Sequence, residues 1–302
     1  MIAGFFVNLQ PIYIIYTMDT LAFIHPEDAA ALNTLQSIPA LSKVVKAFMN
    51  IGAEQLQTGL NLATKVKLSL KQLPHLYNIL PPICEKLGIE EPDFYLQMSP
   101  IPNAEAFGDT QTAITITSGL VEMMTEDELR AVVAHECGHI ACHHMLYHTI
   151  AVLIARASGM FEALAKLAAP IVYALFYWMR KSELSCDRVA AYITSPRVTA
   201  SMLARLAGGP KRITAQLDLV ELAAQADAYD ALCKQDFWNQ TLQTYAVLEK
   251  DHPFTNVRIR EMLLWVASNQ YQELRNTTSR CPHCGEAIEN SWHFCQHCGG
   301  QL

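Results

Sequence analysis

The chain has 302 residues, of which 51% are hydrophobic and 17% are charged, and its formal net charge is −7. A chain of this length and apolar content can bury one large core and carry a small appendage. The acidic balance excludes a general nucleic-acid-binding protein, which would need a basic face. Scattered cysteines outside a C-terminal cluster suit a reducing compartment, so we expect a cytoplasmic protein.

The N-terminal stretch of residues 1–18 is apolar and uncharged. It lacks the basic start and the small-residue cleavage site of a signal peptide, and Pro11 interrupts it. We expect a folded segment here, with a membrane anchor as the alternative. From His25 to about Leu87 the apolar spacing is helical, and acidic residues typical of a first turn follow His25. Prolines predict breaks in this helical region at Pro39, Pro74, Pro81 and Pro82.

A small sheet is predicted between residues 92 and 119. Residues 94–98 have the composition of a strand, and residues 112–117 alternate with period two and are rich in β-branched side chains. Thr125 and Glu128 then form a capping box that starts a helix. An edge strand of this sheet is a candidate for lining a cleft and binding an extended peptide. The alternative is a sheet that only covers the core.

The helix that follows contains the sequence His135-Glu136-Cys137-Gly138-His139. The four-residue spacing places both imidazoles one turn apart on one face, where they can bind the same zinc ion. Glu136 lies about 100° around the helix, beside the metal position, where its carboxylate can act as a general base. Gly138 leaves room for another backbone to approach closely. The motif alone also fits a surface helix that happens to carry histidines.

Two histidines leave a catalytic zinc ion one protein ligand short, because water occupies the fourth position. Glu183, on a predicted downstream helix, is the best candidate for the third ligand. Asp187 lies one turn later on the same face, where it can hydrogen-bond a ligand as a supporting group. Taken alone, these two residues are more simply solvated acids with Lys181 and Arg188 nearby.

The region of residues 145–179 is strongly apolar and contains only a few charged side chains. Its longest uncharged runs, residues 145–155 and 167–179, are shorter than the ~20 residues that a membrane-spanning helix needs. We expect buried helices of a soluble core here, with a re-entrant membrane hairpin as the alternative.

Motifs in a fixed order carry a resemblance to a known family. They are Asn103-Ala104, Ser118-Gly119-Leu120, Glu128 to Ile140 with the His-Glu-x-x-His sequence, and Ser182-Glu183 followed by Asp187-Arg188. Over roughly residues 80–264 the chain resembles the HtpX and CAAX prenyl endopeptidase family of zinc peptidases. These are gluzincins, in which the third zinc ligand is a glutamate on a second helix. The resemblance implies the following site: His135, His139 and Glu183 as ligands, Glu136 as general base and Asp187 as supporting acid.

The resemblance also implies roles for residues outside the two zinc helices. Asn103 and Ala104 would hold the substrate backbone. A late His-Pro and Arg pattern implies that His252 donates to the oxyanion of the tetrahedral intermediate. It also implies that Arg258 orients Asp187 or the cleft wall. For the His-Pro pair considered alone, a turn at a helix start is the simpler interpretation.

The chain departs from the family pattern in two respects. Cys137 occupies a position where a small or aliphatic residue is commoner. The transmembrane signal is weak, whereas the best-known members of the family are integral membrane proteins. The second departure puts residence in a membrane in doubt but leaves the expected chemistry unchanged.

The C-terminal segment follows a polar linker of residues 274–280. It contains two Cys-x-x-Cys knuckles, each followed by glycine, which is typical of a zinc ribbon: Cys281, Cys284, Cys295 and Cys298. The knuckles are too close together to enclose a core without metal, so folding of this segment should depend on the ion. One alternative is that a histidine of this segment replaces a cysteine as ligand. The other is a small domain held together by disulfide bonds instead of zinc. Since the segment carries little basic charge, we expect it to contact a protein partner.

The predicted protein is α+β and mainly α-helical, with a small sheet beside the His-Glu-x-x-His helix and a small C-terminal zinc ribbon. A zincin-like metallopeptidase domain would span residues 1–273, divided into a helical lead-in of residues 1–90 and a catalytic core of residues 91–273. The zinc ribbon would span residues 281–302.

The expected function is that of a zinc-dependent endopeptidase with one catalytic and one structural zinc ion. Its partners would be peptide or protein substrates and no nucleic acid, and membrane association is the alternative to a purely cytoplasmic location. The competing hypothesis is a non-proteolytic zinc protein that serves assembly or chaperone-like binding. Glu136 favours the enzyme, because a purely structural metal site needs no base.

Overall fold

The computed structural model of the chain describes residues 18–38, 41, 45, 52–156, 162–234, 254–277, 283–284, 288 and 292–301. The expected N-terminal segment before Met18, the break at Pro39, His252 and Cys281 lie outside these residues. Within them helices predominate, and the strands form one small mixed sheet. The prediction of a mainly helical α+β fold is therefore confirmed.

The helices and strands are numbered in chain order. The helices are α1 Met18–Leu21, α2 Pro26–Gln36, α3 Ala53–Thr64, α4 Pro74–Tyr77, α5 Leu80–Leu87, α6 Ser118–Met123, α7 Glu126–Ala141, α8 Met145–Arg156, α9 Glu162–Ile193, α10 Pro196–Gly208, α11 Lys211–Thr214, α12 Leu219–Cys233, α13 Thr255–Val266 and α14 Asn269–Thr277. The strands are β1 Val66–Lys67, β2 Asp93–Gln97, β3 Ala104–Phe107 and β4 Ala113–Thr117.

The sheet has the strand order β1-β2-β4-β3. Strands β2 and β4 are parallel, and they are the two strands that the sequence predicted. Strand β3 pairs antiparallel with β4, with Ala104 opposite Ile116, and forms one edge of the sheet among the described strands. The sequence analysis missed β1 and β3, because strands of two and four residues are too short for an alternating pattern to be visible.

Prolines in the N-terminal half lie at helix starts, and the predicted breaks at Pro74, Pro81 and Pro82 coincide with boundaries between helices. Pro74 is the first residue of α4, and Pro81 and Pro82 lie in the first turn of α5. Proline is tolerated there because the first turn of a helix has no intrahelical acceptor for its N–H groups. The chain before these prolines is turn and strand, so helical spacing alone was misleading.

Helix α7 begins with the predicted capping box. The Thr125 side chain accepts from the Glu128 backbone N–H, and the Glu128 carboxylate accepts from the Thr125 N–H. The same carboxylate accepts from Ser201 Oγ at 2.6 Å and from Arg205 on α10. Glu128 therefore fixes both the start of α7 and its position against α10.

Helix α9 contributes to two hydrophobic cores among the described residues. One core contains Val189 together with the sheet, α7 and α10, and the other contains Trp178 together with parts of α2 and α8. Between these two positions α9 carries Glu183 and Asp187, which are buried. Among the helices that the structure describes, none is at once long and apolar enough to cross a bilayer.

The C-terminal boundary of the helical part lies later than residue 273. Helix α14 continues to Thr277, and Leu274 is buried against the main core. A boundary after Glu273, as expected from the polar sequence, would therefore cut through α14. The division into two domains itself stays a prediction.

Candidate metal centre

The His-Glu-x-x-His sequence lies on α7, with both imidazoles facing α9. His135 Nε2 is 3.3 Å from one oxygen of the Glu183 carboxylate, and His139 Nε2 is 3.3 Å from the other. All three side chains are buried. The structure thus brings together the three residues expected to bind the catalytic metal.

The Glu183 carboxylate contacts both imidazoles of the motif. Each Nε2 atom lies 3.3 Å from a different oxygen of this carboxylate. Two imidazoles and one carboxylate are also the donor set of a zinc site that keeps one position open for water.

Close contact between α7 and α9 depends on Gly138. A Cβ atom added at Gly138 would lie 3.1 Å from Cys186 Cα and 3.2 Å from Val189 Cβ. Both positions are on α9, so a side chain at Gly138 would separate the helices. The predicted close approach of another backbone is observed, and it brings Glu183 within reach of the imidazoles.

Asp187 and Arg258 lie behind the first histidine. Asp187 Oδ1 is 3.1 Å from His135 Nδ1, the ring atom remote from Glu183. Arg258 on α13 donates from Nε and Nη2 to the two oxygens of Asp187, both at 2.7 Å. Its Nη1 is also 3.0 Å from the Glu183 carboxylate. Although burial opposes ionisation, the charge of Arg258 holds the pKa of Asp187 below its usual range.

The two imidazoles differ in their electrostatic surroundings. Burial opposes protonation of His135, but Glu183 and Asp187 together raise its pKa to about 10. Burial dominates at His139 and lowers its pKa to about 4 in spite of Glu183. An imidazole must be neutral to bind a metal ion, so a bound ion would have to displace the proton that these carboxylates favour on His135.

Glu136 is also buried, one residue after the first histidine. The step of about 100° per helical residue places it beside the face that carries the histidines. Asn103 and Ala104 lie at the start of the edge strand β3, next to Thr117, whose hydroxyl accepts from the Asn103 N–H at 2.9 Å.

Cys186 is a residue of the site that the sequence analysis missed. Its sulfur and ring nitrogens of His135 and His139 lie within 4.8 Å of one another, so it is a geometric alternative to Glu183. Burial and the surrounding carboxylates raise the pKa of this thiol well above its ordinary value. Glu183 is next to both Nε2 atoms, each of which is 3.3 Å from one of its oxygens.

The C-terminal cysteines form a second cluster. The sulfur atoms of Cys284, Cys295 and Cys298 lie within 4.8 Å of one another. Cys284 Sγ and Cys295 Sγ are 3.7 Å apart, close to the edge of about 3.8 Å that zinc–sulfur bonds of about 2.3 Å give in a tetrahedron. Disulfide sulfurs would be about 2.05 Å apart. Cys295 Sγ also accepts from the His297 N–H at 3.4 Å, within the second knuckle.

The matched sequence segment and the paired helices define the protein as a metallopeptidase. Residues 71–266 match Peptidase family M48, which is most of the chain and includes both helices of the site. The chain therefore belongs to Peptidase family M48, and the expected resemblance to HtpX-type peptidases is confirmed.

Relatives with assigned names support this family. The chain is 33% identical over 268 residues to a plastoglobule-localized metallopeptidase 48, chloroplastic, of Arabidopsis thaliana, covering 87% of this chain and 77% of the relative. It is 32% identical over 126 residues to a protease HtpX homolog of Sulfurihydrogenibium sp., covering 40% of this chain and 43% of the relative. A protease HtpX homolog of Campylobacter concisus is 25% identical over 216 residues, covering 62% and 73%. No solved structure matches the chain.

Proposed function

We propose that this metallopeptidase is a zinc-dependent endopeptidase in which His135, His139 and Glu183 bind the catalytic ion. The observation that carries this proposal is that the buried Glu183 carboxylate contacts both imidazoles, with each Nε2 atom 3.3 Å from one of its oxygens. Zinc is the ion whose usual ligands agree best with two imidazoles and a carboxylate.

Glu136 would act as the general base. When bound, the zinc ion would supply a Lewis acid that polarises the substrate carbonyl and lowers the pKa of water. Glu136 would accept a proton from the attacking water and transfer it to the leaving amine, since the nitrogen must be protonated for the peptide bond to break. The position of Glu136 supports this role, because it is buried on α7 directly after the first histidine of the motif.

The substrate would bind as an extended strand along β3. The support for this is that β3 is an edge strand among the described strands, that it begins at Ala104 directly after Asn103, and that it lies close to α7. Peptides commonly add to such edges through main-chain hydrogen bonds. His252 would donate to the oxyanion of the tetrahedral intermediate, and Asp187 with Arg258 would fix the ring of His135.

The relatives support a peptide or protein substrate, because their names describe them as a metallopeptidase and proteases. The ribbon would hold a second, structural zinc ion between Cys281, Cys284, Cys295 and Cys298 and would contact a protein partner. The spacing of the described sulfur atoms supports the metal in this proposal. We place the protein in the cytoplasm on the grounds of its cysteine usage.

The test separates the base from the ligands. Glu136→Gln should lower the hydrolysis of casein or a fluorogenic peptide by at least about 10²-fold, because general-base catalysis contributes this much. The zinc content should be unchanged, because the ligands are intact. Asp127→Asn, at an exposed position on the same helix, is the control and should keep both activity and zinc.

Two results would contradict the proposal. Substantial activity in the Glu136→Gln variant would remove Glu136 from the mechanism. A wild-type chain that binds zinc but shows no chelator-sensitive hydrolysis of any peptide would favour the non-proteolytic alternative instead.

A further inference from the structure

The carboxylate of Asp28 lies in the first turn of α2 and is buried. Its residue is 1% exposed. One oxygen accepts from Trp178 Nε1 at 2.9 Å, and the other accepts from Ser185 Oγ at 2.5 Å. Although burial opposes ionisation, the adjacent His144 and these hydrogen bonds lower the pKa of Asp28. The centre of the molecule therefore contains an ionised carboxylate that the proposed mechanism does not use.

His144 connects this carboxylate to the proposed metal site. His144 Nε2 is 3.1 Å from Asp28 Oδ2, and His144 Nδ1 is 3.3 Å from His139 Nδ1. His139 Nδ1 is the ring nitrogen on the other side from Nε2, which faces Glu183. A continuous chain of contacts thus runs from Asp28 through His144 to the second histidine of the motif.

Hydrogen-bond chemistry fixes the direction of this chain. If His139 Nε2 binds a metal ion, its Nδ1 carries the proton and must be the donor. His144 Nδ1 is then the acceptor, so the proton of His144 is on Nε2, where it is donated to Asp28. Every donor in the chain faces an acceptor, and the Asp28 charge at its end favours this one arrangement of protons.

The turn after α7 holds His144 in this position. His143 has a φ angle of 57°, in the left-handed region, and its N–H donates to Ile140 O at 3.1 Å. The His144 N–H donates to His139 O at 2.9 Å. This pair of bonds is the Schellman motif, usually built with glycine at the left-handed position. It reverses the chain so that the His144 ring lies against His139, with ring centroids 5.4 Å apart.

The two histidines of the motif are thus supported from opposite sides. His135 Nδ1 contacts Asp187 directly, whereas His139 Nδ1 is linked to the Asp28 carboxylate through a second imidazole, that of His144. Metal-binding histidines generally donate their other N–H to a carboxylate, a carbonyl or water, which fixes the tautomer and the ring orientation.

We propose that Asp28, acting through His144, is a positioning residue for the metal ligand His139. Helix α2, which precedes the family-matched residues 71–266, is then a working part of the peptidase centre. This inference rests on the proposed metal site.

The experiment measures zinc affinity in the full-length chain. Zinc per chain is determined after equilibration in a graded series of zinc buffers, for the wild type and for Asp28→Asn. The ribbon contributes equally to every variant, so a shift between variants reports the catalytic site. We expect the zinc dissociation constant of Asp28→Asn to rise about 10–100-fold, the usual effect of losing such a support.

A control variant separates loss of the positioning of His139 from a general loss of stability of the fold. Glu128→Gln also removes a buried, hydrogen-bonded carboxylate, but Glu128 contacts Arg205 and Ser201 and no proposed metal ligand. Its zinc affinity should stay at the wild-type value even though it unfolds at lower urea concentration. Equal losses of zinc affinity in both variants would overturn the positioning role.

A second pair of variants serves if Asp28→Asn does not fold. His144→Gln keeps an acceptor for His139 and a donor for Asp28, whereas His144→Phe keeps only the bulk of the ring. We expect His144→Gln to retain most of the zinc affinity and His144→Phe to lose about 10–100-fold. The absorption spectrum of the cobalt-loaded chain should change with His144→Phe, because it reports ligand geometry.

The outcomes are distinguishable from failure of the proposed function. If the wild type binds zinc and the Asp28 and His144 variants bind it equally well, only this inference is overturned. If the wild type binds no zinc beyond the ribbon ion, the proposed function fails, and the inference with it.

Discussion

Glu183 and Cys186 lie three residues apart on α9, and both approach the histidines of α7. The carboxylate has one oxygen 3.3 Å from each Nε2 atom. Cys186 Sγ is 3.6 Å from His144 Nδ1. These contacts favour Glu183 as the ligand and Cys186 as a packing residue between the helices.

Two substitutions on α9 test this assignment. Glu183→Ala should remove most of the catalytic zinc, because it takes away one of three protein ligands. Cys186→Ala should leave the zinc content nearly unchanged, since its side chain is replaced by a smaller apolar one. Metal analysis of the purified variants decides between them, and the opposite ranking would make Cys186 the third ligand.

The carboxylate of Glu128 gives the fold a defined response to acid. Burial opposes its ionisation, but hydrogen bonds from Arg205 and Ser201 lower its pKa from 4.5 to about 2. Because the pKa is lower in the folded state, the unfolded chain binds this proton first as the pH falls. The stabilisation by Glu128 is therefore complete above about pH 4.5 and is lost between pH 4.5 and 2.

The Glu128→Gln variant should lack the part of the pH dependence of stability that Glu128 provides. The urea midpoint of the wild type should fall as the pH decreases from 4.5 towards 2, and the variant should have a lower midpoint with a shallower pH dependence. At neutral pH the loss should be about 3 kcal/mol, as for breaking one side of a buried ion pair. Glu126→Gln, exposed on the same turn, should follow the wild-type curve.

The sequence predicts the residues of the site only where they are close together or follow a known pattern. The histidines and Glu136 are defined by a spacing of four residues on one helix. Asp28 was predicted only as an acidic residue of a first turn, although it lies next to His144, which is 116 residues further along the chain. No local pattern signals such a pair, because tertiary packing alone brings it together.

At the scale of helices, the packing of α7 on α9 is the contact on which the site depends. At Gly138 the two backbones come close together, with Cys186 Cα 3.1 Å from the position of an added Cβ. A neighbouring backbone atom cannot move aside as a flexible side chain can. A methyl group here must therefore separate the helices or strain them.

Gly138→Ala should destabilise the fold by about 1–3 kcal/mol, the usual cost of overpacking a core. It should also weaken zinc binding, because Glu183 would move away from the imidazoles. Gly59→Ala on α3 is the matched control, since an added Cβ there meets nothing within 4 Å. Alanine at this open helical position should stabilise the protein by about 0.5–1 kcal/mol. Urea unfolding measures both, and equal effects would contradict the role of close packing.

Elements with a strong local signal were predicted correctly. The capping box of α7 is formed by contacts within four residues, and strand β4 shows a clear alternation in its own sequence. The short strands β1 and β3 exist because neighbouring strands pair with them, so their own residues carry little signal. The proline at position 74 indicates a break in helical structure, but its own residue type does not show that α4 begins there.

At the scale of the whole molecule, the peptidase part and the ribbon are expected to be separable. Residues 278–282, which connect the two parts, lie outside the described residues. Helix α14, which ends at Thr277, packs on the main core through Tyr271 and Leu274. The ribbon cysteines form their own cluster. A cut placed after Thr277 keeps α14 intact, whereas a cut after Glu273 removes the buried Leu274.

Truncation after Thr277 should leave a folded chain with one zinc ion and full activity on a short peptide. Truncation after Glu273 should be less stable, by roughly the 2–5 kcal/mol that loss of a buried leucine side chain costs. Metal analysis and thermal unfolding of the two truncated chains test this. A chain ending at Thr277 that cannot fold, or a full chain with a single zinc ion, would mean that the ribbon belongs to the catalytic unit.

The order in which the site's residues occur along the chain has a consequence for biosynthesis. Asp28 is synthesised early, the histidines of α7 and Glu183 follow, and Arg258 comes last among the described residues of the site. Arg258 donates to both oxygens of Asp187, so the support of His135 is incomplete until α13 has been made. If the site acts as proposed, a ribosome-bound chain has no finished peptidase centre for most of its synthesis. A chain that has not yet reached α13 lacks this contact to Asp187.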